Sequence, residues 1–72
     1  MPSADVLALL VPFVTVQDPR QALRLQSIEI AMLLESIEDT FDLRIRASDY
    51  DPAAFTRVDL LIAWIERLRA AT

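Results

Sequence analysis

The sequence predicts a small all-α domain, a four-helix bundle with a long first loop and a short third helix. Three observations lead there. The chain contains no glycine, and the tight primed turns of β-hairpins lean on glycine, which argues against a hairpin-rich fold. Apolar residues recur at helical spacing in three separate stretches. Between those stretches lie clusters of caps and breakers, Asp18-Pro19 and Ser48-Asp49-Tyr50-Asp51-Pro52, of the kind that punctuates helices.

The elements follow in order. Ser3 can cap a first helix, with Asp5 in its first turn where the helix dipole favours a negative charge. Val6, Leu9, Leu10 and Phe13 give that helix one apolar face, and Pro12 ends or kinks it near Leu10 or Val11. Thr15 to Gln26 reads as a loop, anchored by Leu23 and Leu25. At least one of these leucines should turn inward, because a loop of this length with no attachment would be mobile. Ser27 then opens the strongest helix, SIEIAMLLESIEDTF, with Glu29 in its first turn and Ile30, Leu33, Leu34, Ile37 and Phe41 as its core stripe. Leu43 and Ile45 leave the helix as inward anchors. A short helix or single turn fits Pro52 to Phe55, since proline favours the first helical position. Thr56-Arg57-Val58-Asp59 has a capping-box pattern and opens a last helix to about Ala70, buried along Val58, Leu61, Ile62, Ile65 and Leu68. Arg67 and Arg69 lie near its C-terminus, where the dipole favours cations.

Composition narrows the function. A domain of 72 residues buries only about 60% of the surface its unfolded chain exposes. With no cysteine or histidine it has neither a disulfide staple nor the usual zinc ligands, so its stability rests on apolar packing, for which 54% hydrophobic residues suffice. Without His, Cys or Lys there is no imidazole base, thiolate, Schiff-base amine or Walker-type lysine. A domain this small also leaves little room for a catalytic pocket, and no enzymatic activity is expected. The net charge of −4 argues against nucleic acid and suits a protein that presents a negative face to basic partners. Val6 to Val16 has the apolar character of a signal peptide, but Asp5 stands where a positive charge belongs and Pro12 interrupts the run. It is also too short to span a bilayer. The reading is a buried helix in a cytoplasmic protein with no membrane partner, expected to be a monomer. The acids Asp42, Asp49, Asp51 and Asp59 lack the glycine that a calcium loop requires.

Ser27 by itself reads as a helix N-cap. Its setting, Leu23-Arg24-Leu25-Gln26-Ser27-Ile28, adds a second reading. This run, the helix that follows with Glu38, Asp39 and Phe41 near its end, and the pair Leu43 and Ile45 together resemble acyl and peptidyl (aminoacyl) carrier proteins. Asp49 to Phe55 and the run TRVDLLIAWI resemble the family's short third and fourth helices. The likeness spans the whole chain as one carrier domain, 1–72, and is specific from Leu23 to Ile45. It implies a four-helix bundle of acyl-carrier type and a 4′-phosphopantetheine arm from coenzyme A on Ser27. It further implies a phosphopantetheinyl transferase, a loading enzyme and a downstream synthase or transferase as partners, in a dedicated biosynthetic pathway. Gln26 departs from the family's Asp before the serine, Arg24 departs from its glycine, and the first loop is shorter than is usual there. The alternative is an unmodified helical interaction module.

Under the carrier reading, Gln26, Ile28, Glu29, Ala31, Met32, Glu35, Glu38 and Asp39 form a partner face, apolar contacts rimmed by acids. Read plainly, the same residues are a solvated helix surface. Leu60 and Trp64, four apart on the last helix, are either an exposed patch or the edge of the core, and aromatics at helical spacing favour the core.

Overall fold

The computed structural model describes residues 2–71, with side chains from residue 5 onward. Among the described residues there are three α-helices, α1 (Pro2–Leu10), α2 (Ser27–Phe41) and α3 (Val58–Ala70), and no extended strand. Two single turns of 3-10 helix, Ala47–Asp49 and Pro52–Phe55, occupy the connection between α2 and α3. The fold is therefore all-α, and the region expected to hold a short third helix is two 3-10 turns.

Helix α1 begins at Pro2, a position where a missing N–H costs nothing, so the start falls before Ser3. The cap expected of the Ser3 side chain lies outside the described side chains. The helix ends at Leu10, two residues before Pro12. α1 packs against both α2 and α3, and the second 3-10 turn rests on α3. Val6 and Leu10 from α1, Leu33 and Ile37 from α2, and Val58, Leu61, Trp64 and Ile65 from α3 form one buried cluster with Leu23, Ala54 and Phe55. The expected stripes are thus present, with Leu9, Phe13, Ile30, Leu34, Phe41, Ile62 and Leu68 half-buried at the margin.

Of the two loop anchors, Leu23 is buried and Leu25 half-buried. The loop is tied to the start of α3 by backbone bonds: Leu23 N donates to Thr56 O at 2.9 Å, Val58 N to Gln21 O at 3.0 Å and Asp59 N to Pro19 O at 2.7 Å. An isolated antiparallel bridge joins Ala22 and Arg57 at the same place. These carbonyls satisfy the first N–H groups of α3, which a helix start leaves without partners. The capping box expected at Thr56 and Asp59 therefore does not form. The Thr56 hydroxyl instead donates to Ala53 O at 2.6 Å, and Asp59 turns to Arg57.

The end of α2 shows how a glycine-free chain stops a helix. Asp42 adopts the left-handed conformation, φ 53° and ψ 50°, and is the only described residue with positive φ. Its successor Leu43 donates its N–H to Glu38 O at 3.0 Å, the long back-bond of a Schellman motif. Asp is one of the few side chains that tolerate this conformation, because a short polar group can bond locally. From there the chain runs to the 3-10 turns and onto Trp64. The Trp64 indole N–H donates to Asp49 O at 3.0 Å, and Phe55 meets the Trp64 ring edge-on with centroids 5.2 Å apart. Trp64 is accordingly core. Leu60, one turn earlier, is beyond this cover and stands 38% exposed.

Candidate functional site

The candidate site is the N-terminal half of α2. Gln26, with φ −78° and ψ 161°, is the last extended residue and the helix cap, so Ser27 is the first helical residue and not the cap. The reason lies three residues on. Glu29 folds back so that its Oε1 accepts the Gln26 N–H at 2.8 Å, fixing Gln26 at the boundary. The first carbonyl-to-amide bond of the helix runs from Ile30 N to Gln26 O at 3.0 Å. The Ser27 and Ile28 N–H groups precede that bond and lie at the positive end of the dipole. The Ser27 side chain is exposed, and among the described residues its hydroxyl makes no hydrogen bond.

Beyond Ser27, the helical period brings Ile28, Ala31, Met32 and Glu35 to one face, all exposed. Ile28 is 64% and Met32 52% exposed, whereas Leu33 on the opposite face has no exposure at all. That contrast makes the face an unpartnered apolar surface of an otherwise ordinary amphipathic helix. Gln26 and Asp39 are exposed as well. The other two acids expected on the rim are half-buried and bonded within the chain: Glu29 as described, and Glu38 through Oε2, which accepts the Ile45 N–H at 2.8 Å. The structure thus gathers Ser27, Ile28, Ala31, Met32 and Glu35 on one surface and gives Glu29 and Glu38 structural bonds of their own.

Two features that shape this region carry no signal in the sequence. Gln21 staples the loop leading to Ser27, its Oε1 accepting Gln17 N–H at 2.7 Å and its Nε2 donating to Thr15 O at 2.9 Å. The carbonyls that cap α3 come from the same loop, and a backbone carbonyl has no letter in a sequence. Nor was Arg57–Asp59 anticipated as a pair. The guanidinium grips both carboxylate oxygens, at 2.6 and 2.7 Å. This hydrogen bonding, reinforced by the opposite charge, raises the Arg57 pKa, and the Arg57 hydrogen bonds hold Asp59 below the usual carboxylate range. The pair belongs to the start of α3 and not to the Ser27 face.

Among the described residues no group of three His, Cys, Asp or Glu is arranged to hold a metal ion. None of the described helices is long and apolar enough to cross a membrane. What the chain presents is a small all-α domain with one free serine at a helix start, beside an exposed apolar helix face. No family model, curated protein or solved structure matches it.

Proposed function

We propose that this domain is a free-standing acyl or aminoacyl carrier whose Ser27 accepts a 4′-phosphopantetheine arm, the two 3-10 turns before α3 serving as the short third helix of a four-helix carrier bundle. The observation that carries the reading is the exposed, unbonded Ser27 hydroxyl on the first residue of α2. A helix start offers backbone N–H groups and a positive dipole end to a phosphodiester, so the surroundings of Ser27 fit the group it would hold. In the transfer, Ser27 Oγ bonds to the β-phosphorus of coenzyme A and the pyrophosphate bond breaks. The Ser27 proton passes to a base on the transferase, and adenosine bisphosphate leaves. When attached, the arm supplies a thiol that carries acyl or aminoacyl cargo as a thioester. The chain's own work is to hold Ser27 out in solvent and to present Ile28, Ala31, Met32 and Glu35 to the partner enzymes.

The test is the intact mass of the protein after incubation with coenzyme A, magnesium and a broad-specificity phosphopantetheinyl transferase. Wild type gains one phosphopantetheine and Ser27→Ala gains none. Equal gain by both proteins refutes Ser27, and no gain with several transferases refutes the carrier reading.

A second reading, an unmodified interaction module, is favoured by Gln26. The residue before the serine supplies an amide where a transferase-bound magnesium would meet a carboxylate, and the neighbouring Glu29 carboxylate is already engaged with Gln26 N–H. Gln26→Asp separates the two readings. It restores modification if the missing carboxylate alone limits transfer, and changes nothing if the domain simply docks a partner through Ile28 and Met32.

A further inference from the structure

At the opposite end of α2 from Ser27, about 21 Å along a helix of 15 residues, the chain forms a cleft of about 360 Å³ lined by Leu43, Arg44, Arg46, Asp49, Leu68 and Ala71. The volume is within the range of small-ligand sites, about 300–1,000 Å³. Residues 43–46 run without regular secondary structure from the stop of α2 to the 3-10 turn at Ala47. Leu43 and Ile45 are half-buried against the core, while Arg44 and Arg46 both stand exposed.

Three hydrogen bonds hold the segment in place. Leu43 N donates to Glu38 O at 3.0 Å, Ile45 N to Glu38 Oε2 at 2.8 Å and Arg46 N to Asp49 Oδ2 at 3.1 Å. The Glu38 and Asp49 carboxylates are thus bonded to backbone N–H groups of this segment and not to the guanidiniums. Among the described residues the ion pair is Arg57–Asp59, and neither Arg44 nor Arg46 has a carboxylate in reach. In a chain of net charge −4, this cleft combines two unpaired cations, one carboxylate already tied to the backbone and a floor of leucine.

We propose that the cleft binds a small amphipathic oxyanion, a carboxylate or phosphate monoester bearing a short apolar chain. A guanidinium fork matches either headgroup in two-point geometry, and Leu43 and Leu68 cover the apolar part. The site is separate from Ser27 and does not depend on the carrier reading.

The test is an amide NMR titration of the isotope-labelled wild-type chain with hexanoate, hexyl phosphate and, as a neutral control, hexanol, at low ionic strength. Hexanoate or hexyl phosphate is expected to give saturable shifts at Leu43–Arg46 and Leu68–Ala71, with hexanol weaker by about ten-fold or more, as hydrogen bonds to charged groups predict. R44Q/R46Q, two exposed positions, keeps the amide dispersion of the folded chain and loses the binding, while R44K/R46K retains part of it. Hexanol binding as tightly as the anions in wild type overturns the proposal without reference to any variant. So do shifts confined to Ile28–Met32, no saturation with either anion, or unchanged affinity in R44Q/R46Q.

Discussion

Neighbouring residues on α2 make the sharpest test of how the helix is set. Leu33 has no exposure and belongs to the central cluster, whereas Met32 is 52% exposed. Truncating a fully buried leucine to alanine costs about 3–5 kcal/mol, from lost transfer energy and the cavity left behind. A domain of 72 residues holds only about 4–11 kcal/mol in total, at the usual stability per residue. Leu33→Ala should therefore remove about a quarter or more of the stability. With about 4–8 °C in Tm for each kcal/mol in a domain of this size, the midpoint falls by more than about 12 °C. Met32→Ala removes a half-solvated side chain and installs a better helix former, so its change stays within about 0.5 kcal/mol. Thermal and urea melts followed by far-UV circular dichroism measure both. Equal losses, or a larger loss for Met32→Ala, would mean that α2 is rotated about its axis, and the exposed face containing Ile28 and Met32 would not exist.

Two further outcomes follow from the turns and the surface pair. Asp42 sits in the left-handed region, which costs a non-glycine residue about 1–2 kcal/mol; Asp42→Gly should raise or preserve stability while Asp42→Val lowers it, and the reverse order in urea melts would refute the helix stop. The Arg57 hydrogen bonds depress the Asp59 pKa, so the stability this pair gives is present above the unfolded carboxylate pKa and is lost as pH falls through the lower folded value, below about pH 4. Asp59→Asn should flatten that acid limb, and added salt should shrink the difference because the pair is solvent-exposed; an unchanged acid limb in Asp59→Asn would remove the pair from the account.

Much of the fold was legible because periodicity and punctuation agreed. The bounds of α2 and α3, the stop of α1 before Pro12, the turn at Pro52–Phe55 and the inward Leu23 follow from apolar spacing and from where proline, serine and aspartate stand. The misreadings share one cause. Residue preference makes Thr56 and Ser27 N-caps, and in both places a nonlocal or reciprocal bond decides otherwise: loop carbonyls at α3, and Glu29 acting on Gln26 at α2. Preference for a cap is a local quantity, whereas the bond that satisfies the N–H comes from elsewhere in the chain. Helical spacing places Trp64 at the core, as found, but not the partners that cover it, Phe55 and the Asp49 carbonyl, nor the exposure of Leu60 beside it. At the candidate site, the exposure of Ile28 and Met32 was legible from the opposite stripe. The engagement of Glu29 and Glu38 was not, since a carboxylate on a helix looks the same whether it faces solvent or a backbone N–H.

That last point bears on what the acidity of this chain does. Six of its eleven carboxylates accept a backbone N–H: Asp18, Glu29, Glu38, Asp49, Asp51 and Asp59. All six lie at or near the ends of elements or in turns. A chain without glycine has few residues that enter turns freely, and short acidic side chains close the turns by bonding to them. Much of the negative charge is thus part of how the chain turns, and only Glu35 and Asp39 remain as fully exposed acids beside Ile28 and Met32 on α2. Any partner of that face meets more apolar surface than charge. Its affinity should then rest on burying Ile28 and Met32, roughly 25 cal/mol for each Å² of apolar area covered, and respond only weakly to salt. At the other end of the same helix Arg44 and Arg46 stand without an ion pair among the described residues, and Glu38 and Asp49 beside them are bonded to the backbone. The two ends of α2 thus present surfaces of opposite chemistry, an apolar face at its start and a cleft lined by Arg44 and Arg46 beyond its end.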